Sequence, residues 1–147
     1  MAFRFRFQSV LNYRRHQAEK AEMELARAQQ LLAEAEESLE ILKANQKTAL
    51  QNLARCLHQG LDGTRLHLWR LYLTDLETRI DQQIQKVEAL TRAVTAFREK
   101  LLEATRKKKV LEKLWSHEQE AWRHSEDRRE EKELGEIAVQ SVARRSR

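Results

Sequence analysis

One apolar repeat runs along nearly the whole chain and constrains the fold more than any other feature. Between Leu11 and Cys56, steps of three and four residues in alternation meet an apolar side chain or alanine at every position except Arg14 and Gln46. A seven-residue apolar repeat kept over this length is typical of helices that wrap around each other in a left-handed coiled coil. The repeat therefore predicts a first helix over about residues 7–59.

A second stripe with the same period begins at Leu66 and continues to Trp115. Its side chains are larger than those of the first stripe, in which alanine recurs, and large residues opposite small ones are what close packing of two helices requires. The pattern predicts a second helix over about residues 65–134. Residues 135–147 are expected to form a frayed or disordered tail, because the stretch from Trp122 onward is densely charged with few apolar residues and chain ends commonly fray.

The break between the two stripes has the composition of a tight connection. Gly60 can end the first helix in a left-handed conformation, and Asp62 or Thr64 can cap the second. A connection this short makes the two helices antiparallel neighbours. We therefore predict an all-α fold: one coiled-coil domain over residues 1–147, built as a two-helix antiparallel hairpin with unequal helices.

The hairpin also predicts which residues face each other. With the turn centred near residue 61 or 62, Leu39 is expected near Gln83, and Phe7 is expected at the level of Trp115. The chain after about Glu120 is then expected to lack a partner within the hairpin, because the first helix is too short to reach it.

Composition argues against a catalytic role. The chain has no proline, 3 glycines and 35% charged residues, so it offers neither a glycine-rich phosphate loop nor material for a thick core. The 5 histidines show no metal-ligand spacing, and we expect no enzyme activity, metal or cofactor. The single cysteine, Cys56, falls on the core stripe and fits a reducing cytosol. No apolar run is long enough to span a bilayer, so no direct membrane insertion is expected.

Near the turn, apolar residues exceed what the core stripe needs. Leu68, Leu71 and Tyr72 lie off the stripe in a segment that is apolar on several faces. Such a segment forms either a second protein-binding surface or a hydrophobic cap over the turn.

Basic residues gather at one level of the predicted hairpin, where Arg14 and Arg15 should lie beside Lys107, Lys108 and Lys109. We call these five residues the basic collar. Arg14 and Lys108 both fall on the core stripes. In one interpretation, the aliphatic parts of these two side chains cover the stripe and their charged groups reach water. In the other, the collar binds an acidic partner.

The first residues alternate phenylalanine and arginine. Phe3, Phe5 and Phe7 are expected to form an extended lead-in or first helical turn that packs near Trp115. Alternating aromatic and basic residues can also bind single-stranded nucleic acid by stacking, but no nucleic-acid-binding fold accompanies them.

Three segments resemble the FliJ family of flagellar export proteins. The opening Phe3-Arg-Phe-Arg-Phe-Gln-Ser-Val-Leu-Asn-Tyr-Arg14 is similar to the family's N-terminal signature and is not a consequence of a heptad repeat. The stretches 109–114 and 129–138 resemble the family's C-terminal segments. The resemblance covers nearly the whole chain, and it implies an antiparallel coiled coil similar to the central stalk of rotary ATPases.

The resemblance also implies partners. FliJ-like proteins enter the hexameric ring of the flagellar export ATPase, contact the cytoplasmic part of the membrane export gate and take part in recycling export chaperones. The implied location is cytoplasmic, at the inner-membrane face of the flagellar basal body. The expected gate contacts are Tyr72, Leu76, Arg79 and Gln83. The expected ATPase contacts are Phe3, Phe5, Phe7, Arg14, Arg15, Lys107, Lys108, Lys109, Trp115 and Trp122.

Two other functions remain open from the sequence. The same architecture serves as the stalk of virulence-type type III secretion systems, and the net charge of +5 leaves room for a nucleic-acid-binding coiled coil. The 23 acidic residues are interspersed with the basic ones, which favours a solvated helix surface over a nucleic-acid interface.

Overall fold

The computed structural model describes residues 2–146 and consists of two long helices packed against each other. Helix α1 spans Gln8–Gln59, with 52 residues, and helix α2 spans Gly63–Arg145, with 83 residues. No strand occurs within residues 2–146. The predicted all-α fold, with two antiparallel helices of unequal length, is confirmed.

The core follows the two predicted stripes. Every residue of both stripes is buried or half-buried, including the polar exceptions Arg14 and Gln46. Small residues of α1 provide most of its buried positions and larger ones provide those of α2, as close packing of two helices requires. Each large aliphatic side chain buried in this way contributes roughly 1.5–3 kcal/mol. The buried apolar residues are Phe5, Leu11, Ala18, Ala21, Ala28, Ala35, Ala49, Leu76, Ile80 and Val94.

The connection between the helices uses the residues that the sequence indicates. Gly60 has a φ of 97°, in the left-handed region that favours glycine, and it ends α1. The carboxylate Oδ1 of Asp62 accepts a hydrogen bond of 2.8 Å from the backbone N–H of Arg65, which caps the first turn of α2. Helix α2 therefore begins at Gly63, slightly earlier than predicted.

The chain divides into two compact units. Unit 1 comprises Met1–Glu19 and Leu102–Arg147, and unit 2 comprises Lys20–Leu101. In unit 2, the side-chain amide of Gln83 donates a 2.9 Å hydrogen bond to the backbone oxygen of Ala35, one helical turn from the expected neighbour Leu39. The bond satisfies a polar side chain on the core stripe.

In unit 1, α2 continues to Arg145, and the expected end near Leu134 with a frayed tail beyond it is wrong. Gly60 is the only glycine in the described chain with a positive φ, so Gly135 keeps a helical backbone. A glycine inside a helix costs about 0.5–1 kcal/mol relative to alanine, which weakens a helix without ending it. All side chains over 127–146 are exposed. From here on, the tail means residues 127–146.

Candidate protein-binding surfaces

Three aromatic side chains from distant parts of the sequence meet in unit 1. The ring of Phe3 lies edge-on to Trp115, with centroids 5.9 Å apart, and at 6.0 Å from Trp122. A backbone hydrogen bond of 3.2 Å from the N–H of Gln8 to the oxygen of Phe5 turns the lead-in back before α1 begins. All three rings are half-buried, and we call them the terminal cluster. The expectation that Trp122 lacks a partner in the hairpin is therefore wrong, because the lead-in covers it.

The other two phenylalanines of the opening motif have different surroundings. Phe5 is 7% exposed and belongs to the core, whereas Phe7 is 36% exposed. Their rings meet edge-to-face at 5.9 Å, and the guanidinium of Arg6 lies 5.4 Å from the centre of the Phe7 ring. Stacking of nucleic-acid bases requires open ring faces, and packing within the chain takes up Phe3 and Phe5. Of the expected ATPase contacts, Phe5 has the least surface to offer.

The basic collar is partly neutralised within unit 1. Arg15 Nε lies 3.7 Å from Glu112 Oε1, and Lys107 Nζ lies 3.8 Å from Glu103 Oε1. Both pairs are well exposed, and such pairs contribute little to stability in water. Lys109 is exposed and has no ion pair within residues 2–146, so its charge is open to a partner.

The two collar residues on the core stripes are half-buried. The guanidinium of Arg14 lies 5.6 Å from the centre of the Tyr13 ring, and Lys108 is half-buried on the stripe of α2. Long basic side chains can cover apolar surface with their stems while the charged heads reach water. This arrangement keeps the positive charge of the collar accessible.

An exposed apolar row lies beside the collar, and only one of its three residues, Phe7, is among the expected ATPase contacts. Phe7, Val10 and Tyr13 follow one another at three-residue spacing and are 36%, 41% and 55% exposed. Residues at this spacing are neighbours on a helix surface. The row borders the buried stripe through Leu11, and the heptad repeat does not determine whether Val10 and Tyr13 beside that stripe are exposed.

Unit 2 carries an apolar surface at the turn. An open cavity of about 410 Å³ is lined by Cys56, Leu61, Arg65, Leu68, Trp69 and Tyr72. Leu68, Leu71 and Tyr72 are 60%, 55% and 48% exposed, which favours a protein-binding surface over a closed hydrophobic cap. We call Leu68, Leu71 and Tyr72, together with the cavity beside them, the turn surface.

The four residues expected to contact an export gate do not share one environment. Tyr72 is exposed, with its ring edge-on to Trp69 at 6.2 Å, and Arg79 is exposed and paired with Asp75 at 3.0 Å. Leu76 is 4% exposed and belongs to the core. Gln83 is half-buried and bonded to α1. Tyr72 and Arg79 are therefore the two residues of the set that present surface to a partner.

The exposed apolar and basic patches of the described residues are suited to binding another protein. No group of three or more residues in 2–146 is arranged to hold a metal ion. Within the same residues, no helix combines the length and the apolar character needed to cross a membrane. The fold and the exposed patches define a long helical hairpin suited to contacts with other proteins.

The comparison with protein families identifies the chain more closely. The family model of the flagellar FliJ protein matches residues 3–147, so the chain belongs to the FliJ family, which functions in flagellar protein export. No curated protein and no solved structure matches the chain.

Proposed function

We propose that the chain is a stalk component of the flagellar type III export apparatus, which binds the export ATPase through unit 1 and the export gate through unit 2. Membership of the FliJ family supports a role in flagellar export over one in a virulence-type system. The observation that carries the two-partner proposal is that the terminal cluster and the basic collar lie in unit 1, whereas the turn surface lies in unit 2.

The ATPase contact combines aromatic and basic side chains. Phe3, Trp115 and Trp122 present half-buried rings, which are suited to the apolar centre of an interface. Lys108 and Lys109 supply charge that orients an acidic partner and speeds association. Phe5 holds the lead-in in place from within the core.

The proposed mechanism is allosteric. A pair of unequal helices inside a hexameric ring cannot contact all six subunits in the same way. Each subunit therefore meets a different face, and the ring's conformational equilibrium shifts by the difference in contact free energy. Binding in the ring thereby promotes ring assembly and ATP hydrolysis.

The gate contact centres on Tyr72, with Leu68 and Leu71 beside it and Arg79 at its margin. Leu76 and Gln83 act from within the hairpin, where they hold α2 against α1 and fix the position of Tyr72. Contact with the gate would place the protein at the inner-membrane face of the basal body. The same exposed apolar surface is a candidate for the binding of export chaperones that are being recycled.

The ATPase contact is tested with the cognate export ATPase and the full chain. The wild-type chain is expected to raise the rate of ATP hydrolysis, and Lys108→Glu/Lys109→Glu is expected to reduce that stimulation at least about tenfold, because two attractive charges become repulsive. The matched control is Lys43→Glu/Lys47→Glu, which makes the same charge change on exposed positions of unit 2.

The control variant should stimulate hydrolysis as the wild type does, and both variants should keep the wild-type far-UV circular dichroism. Failure of the wild-type chain to stimulate the ATPase would refute the proposed function. Equal loss of stimulation in the two variants would refute the assignment of the contact to the collar.

A further inference from the structure

The tail is helical although nothing in the hairpin covers it. Every side chain over 127–146 is exposed, whereas the last half-buried residue before it is Glu126. Most of the stability of helices in proteins comes from the packing of an apolar face rather than from helix propensity. The tail therefore has a face that a partner would stabilise.

That face is a short apolar stripe. Leu134, Ala138 and Val142 follow one another at four-residue spacing, which places them on one side of the helix. Leu134 and Val142 are each 66% exposed, and a shallow apolar groove runs past Ala138. The small side chain of Ala138 at the centre of the stripe allows close approach of a second helix.

Two copies of the tail have complementary charges on the side of Ala138 only when the two helices run antiparallel. On the side of the helix that carries Ala138, Glu131 precedes the stripe and Arg145 follows it, each seven residues from Ala138. An antiparallel partner tail would place Glu131 opposite Arg145, and Leu134 opposite Val142. A parallel partner would place like charges against each other, which is destabilising.

We propose that the tail binds the tail of a second copy of this chain, antiparallel, about a two-fold axis at Ala138. A two-fold interface uses the same surface on both chains and closes on itself, as most homodimers do. The overlap is short, so the interface lies at the small end of the range for specific complexes and the dimer is concentration-dependent. The pairing does not involve the residues proposed to contact the ATPase or the gate.

Site-directed cross-linking of the full chain tests the geometry. Cys56→Ser provides a background without thiols, into which single cysteines are placed at 134, 138 and 142. Under mild oxidation, Ala138→Cys is expected to form a disulfide-linked dimer, because the two-fold axis brings the Cβ atoms of residue 138 within disulfide reach. Leu134→Cys and Val142→Cys are expected to cross-link to each other when mixed, and each much less to itself.

Efficient self-cross-linking at 134 and 142 as well as at 138 would indicate parallel pairing and would overturn the proposal. The absence of a cross-link at 138 and in the mixture would also overturn it, provided the dimer is absent in sedimentation velocity at the same concentration. A chain that stays monomeric at every concentration while its tail binds a different protein would overturn the proposal and assign the stripe to that partner.

Sedimentation velocity of variants tests the stripe. Leu134→Asp is expected to raise the dimer dissociation constant at least about tenfold, because it places a carboxylate in an apolar interface. The control is Ile137→Asp, which makes the same change at a residue that is 62% exposed but lies about 100° around the helix from Ala138. The control should shift the constant less than about threefold, and equal shifts in both variants would contradict the assigned face.

Discussion

Tyr72 and Leu76 lie one turn apart on α2 but have opposite surroundings. Tyr72 is 48% exposed beside the cavity of the turn surface, and Leu76 is 4% exposed in the core. The heptad stripe predicts the burial of Leu76, whereas family resemblance alone groups both residues as partner contacts. Its burial assigns Leu76 to the core of the hairpin, and only Tyr72 of the two has the exposed surface that the proposed gate contact requires.

Two substitutions distinguish these roles. Tyr72→Ala is expected to weaken binding to the cytoplasmic part of the export gate at least about tenfold, because a central aromatic side chain carries much of the free energy of an interface. It should change the free energy of unfolding by less than about 1 kcal/mol, as expected at an exposed site. Leu76→Ala is expected to lower that free energy by about 2–5 kcal/mol, since it leaves a cavity in the core. Titration calorimetry and urea unfolding measure the two quantities.

Ile41→Ala is the control for Tyr72→Ala, because Ile41 is also in unit 2 and 54% exposed. It should leave both gate binding and stability near the wild-type values. Unchanged gate binding by Tyr72→Ala would remove the turn surface from the proposed contact.

The helices themselves could be predicted almost completely from the sequence. The seven-residue stripes identify the buried side of α1 and of α2, and Gly60 and Asp62 mark the turn by their backbone and capping chemistry. The end of α2 could not be predicted from Gly135. A glycine ends a helix only when it adopts a positive φ, and the local sequence does not determine whether it will.

Gly60 and Gly135 therefore form a matched pair for substitution. Gly60→Ala is expected to lower the free energy of unfolding by about 1–2 kcal/mol, because alanine at a φ of 97° is strained although the space around it is open. Gly135→Ala is expected to stabilise the local helix by up to about 1 kcal/mol, since the position is helical and a Cβ meets nothing within 4 Å.

Urea unfolding measures the first effect, and hydrogen exchange of the amides around residue 135, at low protein concentration, measures the second. Lower protection in Gly135→Ala than in the wild type would mean that Gly135 ends the helix after all.

At the scale of the whole molecule, periodicity identifies the faces that meet but not their alignment along the chain. The position of the turn sets that alignment approximately. Lys100 Nζ lies 3.1 Å from Glu24 Oε2, as the turn predicts. Gln83 bonds to Ala35, one turn from the expected neighbour Leu39. The contact of Phe3 with Trp122 depends on the path of the lead-in, which no repeat encodes. The candidate surfaces were therefore predictable as segments, but not as sets of exposed residues.

The central claim is that separate surfaces in two units serve two partners. The most direct measurement determines both ATPase stimulation and gate binding for Tyr72→Ala and for Lys108→Glu/Lys109→Glu, with helicity as the control. We predict that Tyr72→Ala loses gate binding and keeps ATPase stimulation, and that the lysine variant shows the reverse. Parallel loss of both activities in either variant, with helicity intact, would contradict the claim.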